Sequence, residues 1–361
     1  MAHAASLGRP DVTDPAATLL RPQDIAMTRG LPDWLAAEGI SLALTAYEAN
    51  RLIFVGVDEA ARLALHEVEA ERAMALHADP DRLILAGRHT LTVFDNLLRP
   101  GETANGADQL FVPRVAYTTG DLDIHDVALT ATGEVVFVNT LYSCLAAPSL
   151  THSFRPLWRP PFISRLAAED RCHLNGLAMR DGAPAFVTAT SRSDVVGGWR
   201  ARRAEGGVVV DVASGEIVTD RLSMPHSPRW RSGELWVLNS GTGEAGVVDL
   251  AAGGFEPRAF CPGFLRGLAF HGDHALVGLS KPRDGAFAGL ALDAALQARD
   301  ADPWCGVQVI DLRTGDVVHW LRFFGPLAEL FDVRVLEGVR RPVAASPSHE
   351  AVDRHITLEP D

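Results

Sequence analysis

Apolar positions in this chain fall into short runs rich in β-branched and aromatic residues, closed by turn-formers and preceded by polar segments of similar layout. The runs at 134–138, 185–188, 234–238 and 275–279 follow His125-Asp126-Val127-Ala128-Leu129, the stretch 169–178, Met224-Pro225-His226-Ser227-Pro228-Arg229-Trp230 and Phe264-Leu265-Arg266-Gly267-Leu268-Ala269-Phe270. Their anchors, His125, His173, His226 and Arg266, recur at intervals of about 40 to 53 residues, a period suited to four-stranded propeller blades. A blade cannot cover both its faces alone, so several must stack around one axis. Two further blades lie upstream, one from Ser41 through 51–55 and one through 73–76, 82–86 and 90–95. The pattern therefore predicts an all-β chain folded as a single six-bladed β-propeller.

Turn chemistry supports this reading. The stretches 208–218, 246–254 and 307–318 each run as an apolar strand ending in Asp211, Asp249 or Asp311 just ahead of a Gly-containing turn. They are expected to be outer hairpins of successive blades. Residues 1–30 are read as a flexible N-terminal extension, 31–344 as the propeller, and 345–361 as a flexible polar C-terminal tail.

Composition changes the picture little, but charge narrows the partners. A net charge of −13 without a basic stripe argues against nucleic acid and anionic membrane surfaces. No run of about 18 apolar residues could span a bilayer. The start lacks a charged leader with an apolar core, and Cys144, Cys172, Cys261 and Cys305 form no C-x-x-C pair. A cytoplasmic protein with reduced, buried thiols is expected. Cys172 beside His173 is not read as a catalytic pair, because strand neighbours point to opposite faces. Gly241-Thr242-Gly243 lacks a following Lys and helix, so it reads as a turn rather than a phosphate loop.

In a propeller the innermost strands line an axial channel, and their upper ends converge on one mouth. Taking Gly133, Gly182 and Gly233 as references puts Asp126, Asn175 and His226 seven residues before their turns, as one candidate ring. Arg266 falls near that level, Asp332 joins from the closing blade, and His125 and His173 are assigned to the rim. Two chemistries fit. His125, His173 and His226 could hold a divalent metal, or a metal-free pocket could take a small polar or anionic ligand through Arg266 and Arg171, with Asp126, His173, Asn175 and His226 completing its wall. The same residues also fit a purely structural role, satisfying backbone groups in the channel. The stretch 153–163, with Phe154, Trp158 and Phe162 among three prolines, is read either as a lid or wall of the pocket or as the cap of a blade; exposed, it would serve a protein partner, and the whole chain a scaffold.

The stretches 153–163 and 169–178, with Met224–Trp230, 235–243 and Gly278-Leu279-Ser280-Lys281-Pro282-Arg283, resemble a family of conserved hypothetical proteins of unknown function over roughly residues 35 to 345. That resemblance implies a propeller-like fold and supplies no activity. Asn175-Gly176-Leu177 is similar, more distantly, to the strand start of gluconolactonase and senescence-marker propellers, which implies a metal-ligating Asn175 and metal-dependent lactonase-like hydrolysis. The chain departs from that group in lacking an early Glu-Gly-Pro motif, Glu48 being its nearest substitute, and in placing histidines where the group uses mainly oxygen ligands.

Overall fold

The computed structural model describes residues 19–281, 289–346, 352 and 355–358. Six antiparallel sheets follow one another along the chain, as the repeat spacing predicts. From the axis outward, blade 1 is Asp332–Glu337, Ile40–Ala46, Arg51–Val57 and Leu63–Glu69. Blade 2 is Leu76–Ala78, Arg82–Ala86, Thr90–Asn96 and Gln109–Thr118; blade 3 is Ile124–Leu129, Val135–Asn139, Cys144–Ala147 and Arg155–Trp158. Blade 4 is Leu174–Arg180, Ala183–Ala189, Gly207–Asp211 and Ile217–Leu222; blade 5 is Pro225–Arg231, Glu234–Asn239, Glu244–Asp249 and Gly254–Phe260. Blade 6 is Phe264–His271, His274–Ser280, Cys305–Asp311 and Val317–Phe323. The predicted outer hairpins at 208–218, 246–254 and 307–318 are the third and fourth strands of blades 4, 5 and 6. Asp211 and Asp249 accept turn N–H groups there, and Asp311 does the same for Arg313.

Strands in the middle of each blade are buried on both faces, which explains their nearly unbroken apolar runs. In Arg82–Ala86, Leu83 and Leu85 pack toward blade 1 while Ile84 and Ala86 pack toward blade 3. In Val135–Asn139, Phe137 faces blade 2 whereas Val136 and Val138 face blade 4. Period-two alternation thus builds an apolar layer between every pair of neighbouring blades, and the layer between blades 6 and 1 closes the ring.

Closure is made by the chain ends. Blade 1 takes its innermost strand, Asp332–Glu337, from the far end of the sequence, antiparallel to Ile40–Ala46. Ile25–Met27 adds a fifth strand to blade 6, and Pro342–Ala344 lies parallel to the outer strand of blade 2. Sheet structure therefore begins ahead of residue 31. Residues 1–18 of the expected N-terminal extension, and 347–351, 353–354 and 359–361 of the expected tail, lie outside the described residues, as do Pro282 and Arg283 of the family motif.

A second link joins the blades at the mouth. A hydroxyl ending the second strand of one blade donates to a carbonyl of the next: Thr45 to Met74, Thr140 to Leu174, Ser240 to Leu265 and Ser280 to Leu330, at 2.6, 2.6, 2.7 and 3.0 Å. The inner strand of blade 4 passes so close to blade 5 that a Cβ on Gly176 would overlap Pro228 and Thr188. Glycine is required there by contact rather than by turn geometry.

The four cysteines are buried and unpaired. Burial pushes the thiols of Cys144, Cys172 and Cys261 up to about 12, so none is a nucleophile at neutral pH.

Candidate metal centre at the channel mouth

The blade-linking hydroxyls fix which residues are equivalent around the axis. Each accepting carbonyl is followed by the equivalent ring position, Ala75, Asn175, Arg266 and Phe331 for blades 2, 4, 6 and 1, of which Arg266 and Phe331 line the mouth cavity. In blades 3 and 5, Ile124 and Pro225 pair with Asn139 and Asn239, so His125 and His226 complete the ring. The expected ring of Asp126, Asn175 and His226 is corrected in blade 3 by one residue. Its first hairpin spans Leu129 to Val135, whereas blades 4 and 5 turn tightly between Arg180 and Ala183 and between Arg231 and Glu234, so counting back seven from Gly133 stops one residue short. His125 is a ring residue, not a rim residue; His173 immediately precedes the inner strand of blade 4.

Below the ring the channel is plugged by charge. Asp126 of blade 3 meets Arg229 of blade 5 at 2.7 Å and Arg334 of blade 1 at 3.1 Å, and Arg334 meets Asp332 at 2.9 Å. Asp126 also accepts the amides of Val127 and Leu177, both at 3.0 Å. Burial works against its charge, but the two guanidiniums outweigh burial and hold the carboxyl below the usual range. Its oxygens are occupied within the fold, and neither Asp126 nor Asp332 lines the mouth cavity.

The cavity above the plug has a volume of about 520 Å³, and its wall includes Asp123, His125, His173, Trp199, Arg266 and Phe331. Ligand atoms of Asp123, His125 and His173 come within 4.8 Å of one another. Both imidazoles are oriented by their neighbours. His125 Nδ1 lies 2.8 Å from the Asp123 carbonyl and 2.9 Å from the Thr140 hydroxyl, whose own proton goes to Leu174. Nδ1 must therefore carry the hydrogen, which leaves the Nε2 lone pair available. His173 Nδ1 donates to the Asp170 carboxylate at 3.1 Å, and Trp199 Nε1 donates to the same carboxylate at 2.7 Å. The Trp199 ring stacks on His173 with centroids 4.2 Å apart, and the two imidazoles meet edge to face at 4.8 Å. Asp123, Asp170 and His173 all have positive φ, a conformation uncommon outside glycine.

Burial lowers His125 to about 4, partly offset by Asp123. Burial also drives His226 well below its ordinary value, with Arg266, His125 and His173 adding to the effect. Burial would raise Asp123, but His125, His173, Arg72 and Arg266 together pull it below the usual carboxylate value. At neutral pH His125 thus offers a neutral imidazole and Asp123 a carboxylate, the protonation states that metal ligation needs. His226 repeats the arrangement of His125: Nδ1 donates to the Met224 carbonyl at 2.8 Å and approaches Ser240, while Nε2 is buried with no hydrogen-bond partner.

The other sequence-derived candidates lie elsewhere. Asn175 is on the ring, but its amide oxygen accepts the Thr188 hydroxyl at 2.7 Å. Arg171 is held on the rim by Glu169 and by Asp194 at 2.7 Å, away from the cavity wall. The stretch 153–163 is no lid, since Arg155–Trp158 is the outer strand of blade 3 and none of 153–163 lines the cavity. Three contributors stand outside the sequence-derived set. Asp123 and Asp170 stand two and three residues ahead of their histidines, a local signal, whereas Trp199 arrives from the loop between the second and third strands of blade 4.

Several solved structures are similar to this chain at low sequence identity. A propeller in the crystal structure of a nidogen/laminin complex aligns with a TM-score of 0.50 at 10% identity, covering 82% of this chain and 98% of that one. A protein of unknown function from Bacteroides caccae gives 0.49 at 9% identity, covering 82% and 98%; virginiamycin B lyase from Staphylococcus aureus gives 0.41 at 11%, covering 66% and 73%. No curated protein matches the sequence. Residues 29–345 match the model described as a domain of unknown function (DUF4915), and with nearly the whole propeller inside that match, the chain belongs to this family.

Proposed function

We propose that the mouth holds a divalent metal ion between Asp123, His125 and His173, and that the cavity presents this ion to a small polar ligand. The observation that carries the reading is the pair of oriented imidazoles beside a carboxylate, with ligand atoms within 4.8 Å. Nδ1–H bound to a carbonyl or carboxylate, leaving Nε2 free, is the usual second-sphere arrangement of metal-bound histidine. Mixed nitrogen and oxygen donors suit Zn, Fe, Mn or Ni. Three protein ligands leave a position open for water or ligand, the arrangement of catalytic rather than structural sites. An ion there would acidify bound water or polarise a carbonyl, chemistry that a hydrolase of the lactonase kind could use.

Stoichiometric metal analysis tests the reading directly. Protein stripped with chelator should take up one equivalent of Zn²⁺, Mn²⁺ or Ni²⁺ and gain thermal stability, and His125→Asn should abolish the uptake. Asp170→Asn should weaken it by about 10- to 100-fold through loss of the oriented tautomer. Wild type that takes up no ion, or a His125→Asn variant that binds as well as wild type, would dispose of the centre.

A further inference from the structure

We infer that the ligand of this site carries a small oxyanion, a carboxylate or phosphate group, received by Arg266. The arginines of the plug and of the neighbouring rim have carboxylates: Arg229 and Arg334 have Asp126, and Arg171 has Glu169 and Asp194. Arg266 lines the cavity yet makes no ion pair among the described residues, and its Nε is buried without a partner. Aromatic rings hold it instead. Its guanidinium carbon sits 4.9 Å from the Phe331 centroid, 5.5 Å from Phe264 and 5.9 Å from Tyr47. These rings attract the cation but accept no conventional hydrogen bond, so its N–H fork remains for a group of matching shape, a carboxylate or phosphate. Arg266 is half-buried, and Glu329, Asp123 and Glu48 act on it from beyond ion-pair distance, so a matching anion binds with the advantage of satisfying its buried Nε–H.

The wall around it has the same preference. In a chain of net charge −13, the cavity is lined by Arg72, Arg200, Arg203 and Arg266. Asp123 is the carboxylate in that wall, and Arg72 pairs with it at 2.7 Å. A positive concavity on an acidic body concentrates small anions and repels little of their approach. Tyr47, Met224 and Phe331 supply apolar wall for the rest of the molecule, and about 520 Å³ limits it to a small one.

This inference deepens the reading proposed above for the same cavity, but it does not require the metal. Calorimetric and thermal-shift titrations of the whole chain, with metal and with chelator, should compare inorganic phosphate and benzoate with neutral benzamide. At least one anion is expected to bind wild type and benzamide is not; whichever anion binds tighter identifies the group. Arg266→Met should lose at least tenfold in anion affinity while keeping its metal stoichiometry, and Arg266→Lys should fall between. Anion binding that depends on Arg266 in protein that takes up no metal would uphold this inference and remove the metal. Wild type that fails to distinguish benzoate and phosphate from benzamide in both states overturns it, even if the variants do not fold. Anion binding that needs metal and ignores Arg266→Met overturns it as well.

Discussion

Acid should destabilise this propeller through its mouth histidines before its carboxylates protonate. In the folded chain burial holds His125 near 4, whereas in the unfolded chain an imidazole titrates near 6.5. Between those values the unfolded chain binds a proton that the native one refuses, so stability rises with pH there. The contribution is complete above 6.5 and lost as the pH falls toward 4. From the size of the shift it amounts to roughly 3 kcal/mol. His226 acts in the same direction. His271 acts oppositely: burial lowers it, but hydrogen bonds to Glu337 and Glu38 outweigh burial and raise it, so its contribution is complete below 6.5 and fades as the pH climbs through its raised value. Urea unfolding in chelator at intervals from pH 7.5 to 4 would measure the sum, and the difference between wild type and His125→Asn isolates one group. Wild type should lose about 3 kcal/mol more than the variant over that range. Identical slopes for the two proteins would show that His125 is not held neutral by burial, and the protonation state assigned to the centre would fall with it.

Two substitutions test the frame around the site. Asp126→Asn leaves Arg229 and Arg334 short of a carboxylate in the channel and should cost about 3–5 kcal/mol in urea unfolding, while metal stoichiometry stays at the wild-type value; a cost below about 1 kcal/mol would mean the plug is not sealed from water. Gly176→Ala should lower stability by about 1–3 kcal/mol through the overlap with Pro228 and Thr188. Gly254→Ala, where a Cβ would meet nothing within 4 Å, serves as the control in the same thermal unfolding series and should be close to neutral.

The blades were legible because their physics is local. Alternation that fills two interfaces at once leaves an apolar run such as 82–86, and a turn capped by Asp249 or Asp311 can be read from a few consecutive residues. Strands of three residues, Ile25–Met27 and Pro342–Ala344, carry no such pattern, since their pairing is decided by the open sheet edges they cover.

Reading the site demanded more, because it depends on phase between blades rather than on pattern within one. Spacing found His125, His173, His226 and Arg266, but placing them needed the register of each inner strand, and a longer hairpin in blade 3 displaced that register by one residue. On an inner strand, one residue separates the mouth from the plug: His125 presents its imidazole to the cavity, and Asp126, next in sequence, is locked between two arginines beneath it. The same step separates Phe331, which supports Arg266, from Asp332, which joins the plug. Neighbouring residues on two blades thus divide the work, one level lining the cavity and the next closing the channel. A site of this kind is specified by hydroxyl-to-carbonyl links between blades, such as Thr140 to Leu174, whose partners lie far apart in sequence.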